Sequence, residues 1–585
     1  MAISLPRLLA RGSFCLALVS LALYVTFGCG PRAAAVSHES AALAAASEPA
    51  GAKAGQAGDP PFKLVEVAAA RGLNFRHTYG SRSPVTIVET MGGGCAFFDY
   101  DGDGWPDIFL VNSGQDFQKP HQTPGSKLFH NRGDGTFEDV TDKSGIVIDG
   151  YACGCCIGDY DNDGHDDLFV TGFGRNWLFH NKGNGTFEDV TQRAGIQRRP
   201  GAWGIGCAFI DVNRDGLLDL YVGNYIRYDP KIPYCRTGDV QHGCTPNQYS
   251  TQPNELYINQ GHGKFVEKAV ALGADDPSGA SLGVLTCDFD NDGWPDIFIA
   301  NDGTPNTLLH NEHGRFRNIA QAAGVAYGED GIMRAGMGTD AADINGDGRF
   351  DLVITNFSNE PTSIFRNQGK LSFTEVSYPS GVGTPSLSRL KFGVAFVDLN
   401  GDGKPDLYQG NGHVHDNVEK FNDIDTFEQV DQIYLNLGGG RFKEVLPATG
   451  AFPNIRSVTR AVAVGDFNND GKADILINSL GRPVRLLENQ TPMRGHWVGL
   501  KLVGTKSNRS AIGARVELQG PGGLQVREVR SGGSYIGQSD LRVLFNVPDV
   551  SDAGQLALRI RWPSGTAQTL KPSALDKYVT IQEPR

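Results

Sequence analysis

A nine-residue acidic pattern, Asp-x-Asp/Asn-x-Asp-Gly-x-x-Asp, recurs seven times along the chain. The copies begin at Asp99, Asp159, Asp211, Asp288, Asp343, Asp398 and Asp466. A short apolar run follows each copy at once, such as residues 108–111 after the first, and such runs suit strands that are buried on both faces. Self-similarity of this kind indicates a repeat architecture, with Gly-rich all-β units in place of one ordinary core.

A second signature follows each acidic pattern and completes the repeat. Leu128-Phe-His-Asn131 leads to Gly135-Thr-Phe-Glu-Asp-Val-Thr141, and residues 178–191 repeat the same arrangement. Weaker copies follow in the next four repeats. Each repeat therefore supplies about four short strands joined by Gly- and Asn-rich turns, which is the content of a propeller blade.

The two ends of the repeat array predict how it closes. The last repeat reaches Asn489 without a Phe-x-x-Val segment, and an orphan copy of that segment stands at residues 62–67. The counts match only if the N-terminal strand completes the last blade, which also removes two exposed sheet edges. We therefore predict an all-β protein with a seven-bladed β-propeller over residues 61–493, closed by an N-terminal strand. A small C-terminal antiparallel β domain is predicted over residues 494–585, where short strand-like runs alternate with Gly- and Pro-rich turns.

The acidic pattern has the spacing of a calcium loop. Oxygen-bearing side chains at positions 1, 3, 5 and 9 converge if the chain turns tightly, and Gly at position 6 permits that turn. Hard carboxylate and carbonyl oxygens suit Ca²⁺ better than Mg²⁺ or a transition metal. A single copy could be a solvated acidic turn, but seven copies in register predict about seven structural Ca²⁺ ions. An EF-hand is rejected because it needs Glu at position 12 and flanking helices. The predicted ligands are Asp99, Asp101, Asp103 and Asp107; Asp159, Asp161, Asp163 and Asp167; Asp211, Asn213, Asp215 and Asp219; Asp288, Asp290, Asp292 and Asp296; Asp343, Asn345, Asp347 and Asp351; Asp398, Asn400, Asp402 and Asp406; and Asp466, Asn468, Asp470 and Asp474.

The formal net charge of −13 has the same origin as the acidic pattern. Seven divalent cations would bring the protein close to neutral, so the charge says little about partners. The chain has no basic stripe with interleaved aromatic residues, and nucleic-acid binding is therefore not expected.

The N-terminal residues 1–29 have the features of a signal peptide. Arg7 and Arg11 precede an apolar stretch over residues 14–27, which is too short for a comfortable membrane span. Cys29 leaves two alternatives open, lipoprotein processing at that residue or plain cleavage. Residues 30–60 are Ala-rich and predict a flexible linker. We expect an exported protein of a bacterial cell envelope, secreted or lipid-anchored, with no transmembrane helix in the mature chain.

The cysteines fall into two groups. Export permits disulfides, and Cys235 and Cys244 lie in a polar insertion where a local bridge is the first candidate. Cys95, Cys155 and Cys207 each stand four residues before an acidic loop and are expected to be core residues. The run at residues 153–156 leaves a redox or metal site open, although it matches neither a CxxC pair nor a haem motif.

The predicted propeller and the predicted C-terminal domain each resemble a known family. The repeats resemble FG-GAP/VCBS calcium-loop blades, which also occur in integrin α-subunit propellers. The tail resembles the ASPIC/UnbV domain, with one departure at residues 544–546. The motifs that carry this second resemblance are Asn508-Arg-Ser-Ala511-Ile-Gly-Ala-Arg-Val516, Gly533-Ser-Tyr535-Ile-Gly-Gln-Ser539 and Trp562-Pro-Ser-Gly565. Propeller plus tail is the architecture of the cartilage acidic protein family, and this resemblance implies an exported, calcium-binding, non-enzymatic protein.

One irregular stretch stands out from the repeats. His413 and His415 lie in a longer connection of the sixth blade, where a metal or ligand site and a hydrogen-bonded loop anchor are both open, the anchor being favoured. Four residues that lead into inner strands are candidates for the channel mouth, namely Glu89, Arg334, Arg389 and Arg460. His130, His180 and His310 share one repeat position and are expected to be structural.

Three functions remain open on the sequence alone. The favoured one is an adhesion, scaffolding or interaction module that presents propeller loops to a protein or glycan at the cell surface. The second is an enzyme or biosynthetic accessory protein with a ligand site at the channel, since fold does not determine function. No nucleophile–base pair stands out from the repeats, so enzymatic activity is not expected. The third is a purely structural calcium-stabilised envelope protein.

Overall fold

The computed structural model describes residues 60–80, 83–114, 117, 125–197 and 199–585. The predicted signal peptide, Cys29 and the linker up to residue 59 lie outside this part of the chain. Within it, no helix has both the length and the apolar character that a membrane span requires.

Seven antiparallel four-stranded sheets form the propeller, and each has one acidic loop between its first and second strands. We number the blades and their acidic loops 1 to 7 in chain order. From the inner to the outer edge, the strands of blades 1 to 3 are Cys95–Phe98, Asp107–Leu110, Lys127–Asn131 and Phe137–Asp139; Tyr151–Gly158, Asp167–Phe173, Trp177–Asn181 and Phe187–Asp189; and Gly204–Ile210, Asp219–Asn224, Glu255–Asn259 and Phe265–Glu267. Those of blades 4 to 6 are Ser281–Cys287, Asp296–Asn301, Thr307–Asn311 and Phe316–Asn318; Thr339–Ala342, Asp351–Ile354, Ser363–Asn367 and Phe373–Glu375; and Lys391–Val397, Asp406–Asn411, Gln432–Asn436 and Phe442–Val445.

Blade 7 is built from both sides of the array. Its strands are Thr459–Gly465, Asp474–Ser479, Arg485–Asn489 and, at the outer edge, Leu64–Glu66. Leu64 pairs antiparallel with Asn489, and Glu66 pairs with Leu487. The inner strand of each blade contacts that of the next, and the inner strand of blade 7 contacts that of blade 1. The predicted all-β fold is confirmed, and the N-terminal strand pairs with the last repeat as predicted.

The closing strand gives a first test of the ring. Leu64 is 3% exposed and packs in the core of blades 6 and 7, whereas the neighbouring Lys63 is exposed. We expect Leu64→Ala to lower the free energy of unfolding by about 2–3 kcal/mol, because it leaves a cavity at the seam. Lys63→Ala is the matched control and should change stability by less than about 0.5 kcal/mol. Urea denaturation measures both, and equal midpoints for the two variants would contradict a structural role for the strand.

Short helical turns connect the blades. One-turn α-helices follow the outer strands of blades 1 to 5 at Thr141–Ser144, Thr191–Ala194, Ala269–Leu272, Ala320–Ala323 and Gly383–Ser386. 3₁₀ turns lie at Ile87–Thr90, Pro246–Gln248, Val418–Lys420, Pro447–Thr449 and Ala553–Gln555. The ring thus has two distinct faces. We call the face with the seven acidic loops the loop face, and the face where the inner strands begin the insert face.

The insert face takes its name from insertions in blades 3 and 6. The blade 3 insertion contains the pair Ile226–Arg227 with Ser250–Thr251 and the hairpin Tyr234–Thr237 with Val240–Gly243. The blade 6 insertion contains Gln429–Val430, which pairs with Arg456–Ser457. The two insertions meet, because Asn417 Nδ2 donates to the Gln241 carbonyl oxygen at 2.8 Å.

The C-terminal domain has two sheets that share one core. The first contains Val543–Val547, His496–Val503 and Tyr578–Gln582, and the second contains Gly523–Glu528, Arg515–Gly520, Ala557–Arg561 and Ala567–Leu570. The predicted antiparallel arrangement holds for every pairing within these sheets except one. His496–Val503 and Tyr578–Gln582 are parallel. The strand Ala567–Leu570 was not predicted, since its alternating small and polar residues lack an apolar run.

Candidate metal centres and the channel mouth

The first Asp of each loop holds the turn through backbone hydrogen bonds. In loop 2, Asp159 Oδ1 accepts from Asp163 N at 3.1 Å and Oδ2 accepts from Gly164 N at 2.7 Å. Gly164 has a φ of 99°, in the left-handed region that favours glycine. This backbone conformation explains why Gly stands at position 6 of every loop.

The Asp at position 9 is fully buried in all seven loops. In loop 2, Asp167 Oδ2 accepts from Tyr160 N at 3.1 Å, and Oδ1 accepts from Asn181 N at 2.8 Å. Burial raises the pKa of this carboxyl group well above its usual range. Position 9 therefore joins the loop to the third strand of its own blade.

The Asn that ends each third strand also ties its blade to the preceding one. Asn181 Nδ2 donates to the Tyr100 carbonyl oxygen of loop 1 at 2.7 Å. The equivalent bonds run from Asn131 to Phe467, Asn259 to Tyr160, Asn311 to Val212, Asn367 to Phe289, Asn436 to Ile344 and Asn489 to Leu399. Seven such bonds form a closed circuit at the loop face. The sequence showed these Asn residues as a strand signature but gave them no role.

Carboxylates converge in several loops. Oxygen atoms of Asp99, Asp101 and Asp103 lie within 4.8 Å of one another, as do those of Asp288, Asp290 and Asp292. Loop 2 holds a third such group, Asp159, Asp161 and Asp167. Among the described residues, Asp99 Oδ1 and Asp161 Oδ1 are buried without a hydrogen-bond donor.

The environment of these carboxylates fits a bound hard cation. Burial raises the pKa of Asp159, Asp211 and Asp288 to about 7, because desolvation of the ionised form outweighs the hydrogen bonds and the ion pair that stabilise it. The donor set consists of carboxylate and amide oxygens, which Ca²⁺ accepts in flexible coordination. A Ca²⁺ ion held by positions 1, 3, 5 and 9 would offset two of the three or four negative charges in each loop and fix the loop.

Three histidines lie against the acidic loops, and these contacts were not predicted from the sequence. His180 Nδ1 lies 3.2 Å from Asp167 Oδ1 and 3.4 Å from Asp161 Oδ2, and the hydrogen bond to Asp167 raises the pKa of this imidazole. His130 and His310 make the same contact with Asp107 and Asp296, at 3.2 and 2.9 Å. These are the three blades whose loops carry Asp at position 3. Where position 3 is Asn, the equivalent strand residues are Ile258, Arg366, Leu435 and Glu488.

The C-terminal domain covers the loop face. An ion pair joins Arg561 to Asp288, and Lys501 Nζ lies 3.1 Å from Asp99 Oδ2. The other loops are contacted through Ser510 with Asp159, Pro563 with Arg214, Arg515 with Gly348, Asn546 with Asp398, and Tyr578 with Asp466. Every acidic loop therefore has a hydrogen bond or ion pair with this domain.

One segment of the C-terminal domain fills the propeller channel. Residues 529–540, here the channel segment, include the two-residue strand Gly537–Gln538, which pairs in parallel with the inner strand of blade 1. Its hydrogen bonds to blades 2 to 7 join Ser531 with Ile157, Ser531 with Phe209, Gly533 with Val284, Ser534 with Thr339, Ser534 with Val394, and Ser539 with Val464. The inner strands of all seven blades are thus bonded to one short segment. A Cβ on Gly94 of blade 1 would lie 2.8 Å from the Ile536 carbonyl oxygen, so this approach needs glycine.

Tyr535 is the centre of the channel segment. Its side chain is 1% exposed, its hydroxyl donates to the Met91 carbonyl oxygen at 3.1 Å, and its ring meets Phe392 edge-on. The channel segment therefore enters from the loop face and fills the channel with side chains.

The predicted channel-mouth residues lie on the insert face in different roles. Glu89 is buried and accepts from Thr86 N at 2.7 Å. Arg460 is also buried and donates to the carbonyl oxygens of Thr90 and His413, at 2.6 and 3.0 Å. The structure thus brings Arg460 and the loop of His413 together with the segment that holds Glu89.

The other two channel-mouth candidates bond to residues close to them in the chain. Arg334 forms an ion pair with Asp330 at 2.7 Å, and Arg389 donates to the Ser388 carbonyl oxygen. Burial lowers the pKa of His413 to about 3 and that of His415 to about 4, so both are neutral at physiological pH. The His415 ring lies 4.7 Å from that of His242 in the blade 3 insertion.

The described cysteines comprise one disulfide-bonded pair and six free thiols. Cys235 and Cys244 form a disulfide in the blade 3 insertion, with an S–S distance of 2.04 Å. The six free cysteines of the described chain are all buried. Burial raises the pKa of the Cys153 thiol to about 12, which disfavours the thiolate that redox and metal chemistry require.

Two family models match this chain, one within the propeller and one within the C-terminal domain. The FG-GAP-like repeat model matches residues 99–170, 159–222, 244–298, 288–354, 343–408 and 424–477, which together are more than half of the chain and hold all seven acidic loops. The chain belongs to the FG-GAP repeat family. In this FG-GAP protein, the ASPIC and UnbV model matches residues 504–585, the part that covers the loop face.

Curated relatives of this FG-GAP protein match it at low identity. Cartilage acidic protein 1 of Xenopus tropicalis is 24% identical over 378 residues, covering 62% of this chain and 52% of that protein. The Homo sapiens protein of the same name is 29% identical over 301 residues, covering 50% and 42%. The chain spans about half the length of the curated relatives it matches.

Among solved structures, an Agrocybe aegerita lectin shares 18% identity at a TM-score of 0.34, covering 60% of this chain and 79% of that one. That lectin recognises non-reducing terminal N-acetylglucosamine. A similarity at this level carries no inference about the function of this protein.

Proposed function

We propose that this FG-GAP protein is an exported, calcium-binding propeller that acts as an adhesion, scaffolding or interaction module at the cell envelope. The observation that carries the proposal is that one face of the ring is covered and the other is not. The loop face is covered by the C-terminal domain, whereas the insert face has exposed apolar side chains. A partner, whether a protein or a glycan, would therefore bind the insert face.

The exposed apolar residues are concentrated in the connections of the insert face. Ile424 is 75% exposed and Ile332 is 58% exposed, in the connections of blade 6 and before blade 5. Others in such connections are Val147, Ile232, Met333 and Leu446. Apolar side chains beside polar loops are typical of surfaces that bind partners.

The calcium ions in this proposal are structural. The carboxylates of positions 1 and 9 are buried, except for the half-buried Asp99, and they are hydrogen-bonded within the ring under the C-terminal domain. Ions at these positions would hold the loops in place without contacting a partner. Residues 1–29 would direct export, and Cys29 would be either the lipidated residue or the end of a cleaved peptide.

A capture experiment with paired surface variants tests the proposal. We expect immobilised protein to retain an envelope component in millimolar Ca²⁺, and Ile424→Asp combined with Ile332→Asp to reduce that retention at least fivefold. The matched control is Leu437→Asp, because Leu437 is 52% exposed in a turn on the loop-face side of blade 6. Equal retention by all variants would exclude the insert face, and no retention by the folded wild type would favour a purely structural role.

A further inference from the structure

A cavity of about 340 Å³ opens on the insert face, at the mouth of the channel. Its walls are largely apolar and include the rings of Tyr225, Tyr249 and Phe357. Cys244 of the blade 3 insertion and Val414 of the blade 6 insertion also line it. The two insertions therefore form one part of the wall, and the connections of blades 4 and 5 and the segment before blade 1 form the rest.

One buried carboxylate lies in the wall of this cavity. Asp302 follows the second strand of blade 4 and is 6% exposed. Its Oδ2 accepts from the Tyr225 hydroxyl at 2.5 Å, the one side-chain partner found for it among the described residues. Burial raises the pKa of Asp302 to about 7, which is the behaviour of a carboxyl group without a counter-charge.

The charges around Asp302 are negative or neutral. Glu360 also lines the cavity, and its Oε2 accepts from Ala335 N at 2.9 Å. Of the described residues that line the cavity, none is Lys or Arg. The ammonium group of Lys391 is buried outside the lining, where it donates to the carbonyl oxygens of Phe357 and Glu360.

We propose that this cavity binds a small organic cation, an alkyl- or arylalkylammonium ion. Its ammonium group would lie on the Asp302 carboxylate, and its apolar body would pack against the rings of Tyr249 and Phe357. A buried carboxylate is stabilised by a paired cation, and aromatic faces attract ammonium groups. A mostly apolar pocket with a few polar groups is also the usual form of a small-molecule site.

A metal ion fits the cavity less well than an organic cation. Ca²⁺ takes six to eight oxygen ligands, and Mg²⁺ requires near-octahedral coordination. The lining supplies two carboxylates, and its other oxygen donors are neutral groups such as Thr90, Asn247 and Thr304 among apolar side chains. The cavity is therefore chemically distinct from the seven loops, and it lies on the other face of the ring.

Calorimetric titration with phenethylammonium tests the proposal. We expect saturable binding to the full mature chain, and at least tenfold weaker binding of the uncharged analogue 2-phenylethanol. Asp302→Asn should weaken phenethylammonium binding by roughly 30-fold or more, because it removes the charge of a buried ion pair. An Asn side chain still accepts the Tyr225 hydroxyl, so this variant is expected to fold, and thermal unfolding checks that it does.

One further variant is a control for charge. Asp142→Asn, at an exposed carboxyl group in the one-turn helix of blade 1, should leave affinity unchanged. If Asp302→Asn does not fold, Glu360→Gln takes its place, with an expected loss of at least fivefold.

Three results would overturn the assignment. The first is binding of 2-phenylethanol as tight as that of phenethylammonium, which would leave an apolar cavity without charge selection. The second is displacement of phenethylammonium by stoichiometric Ca²⁺ or Mg²⁺, which would indicate a metal site. The third is the lack of binding by any ammonium probe to folded wild type. None of these results bears on capture by the insert face or on calcium in the loops.

Discussion

Chelation of Ca²⁺ with EGTA is expected to lower the melting temperature of this protein by about 5–10 °C. Extracellular calcium modules bind at about 10⁻⁴–10⁻³ M, so each site stabilises the fold by roughly 1 kcal/mol in millimolar Ca²⁺. Seven sites contribute about 7 kcal/mol in total. A cooperative unit of about 500 residues has an unfolding entropy on the order of 1 kcal/mol/K, which converts this sum to the stated shift.

Differential scanning calorimetry in Ca²⁺ and in EGTA measures the shift. Equal concentrations of Mg²⁺ should restore little of it, because Mg²⁺ demands a rigid octahedral site. Metal analysis should give about seven Ca²⁺ ions per chain, and Asp292→Asn should lower that number by one. A melting temperature that is the same with and without Ca²⁺ would rule out structural calcium in the loops.

Replacing Tyr535 by Ala is expected to lower the free energy of unfolding by about 3–5 kcal/mol. Loss of a fully buried aromatic side chain removes its burial energy and leaves a cavity. The site cannot collapse easily, because the channel segment is bonded to the inner strands of all seven blades. Chemical denaturation followed by tryptophan fluorescence measures the loss.

The matched control for this variant is Tyr535→Phe, which keeps the ring and removes only the hydroxyl group. Because the lost hydrogen bond goes to the Met91 carbonyl oxygen, the expected cost is about 1–2 kcal/mol. Limited proteolysis should cleave the C-terminal domain faster in the Ala variant than in the Phe variant. If both variants are as stable as the wild type, the channel segment does not hold the two parts together.

The ring could be predicted from the sequence because every repeat has the same order of strands and acidic loop. The spacing of the acidic loops defined the blades, and the orphan segment at residues 62–67 defined the seam. Within a blade, neighbouring strands are close in sequence, so their pairing follows from periodicity and turn residues. The structure places Leu64–Glu66 at the seam as expected.

The interactions between distant parts of the chain were not predictable in the same way. The motif around Tyr535 was recognised as part of a family signature, but no local pattern says that it enters a channel formed by residues far earlier in the chain. The cover over the loop face is likewise made of single contacts, such as Arg561 with Asp288. Contacts of this kind depend on the shape of the assembled ring.

One missed feature did leave a trace in the sequence. His130, His180 and His310 occur only in the blades whose loops carry Asp at position 3. A fourth carboxylate in a loop coincides with an imidazole beside it, and comparison of the seven repeats residue by residue would have shown this. The meeting of His242 with His415 left no such trace, because both insertions are irregular.

The two elements that lock the ring also determine when the fold can be completed. The closing strand Leu64–Glu66 precedes blade 1 in the chain, and the channel segment follows blade 7. During synthesis from the N-terminus, the closing strand can pair only after residues 485–489 have been made. The channel can be filled only after residues 529–540 have been made. Such long sequence separations delay folding until nearly the whole chain is available. This delay would suit the export proposed above, because a chain that is still open can cross a membrane before it folds.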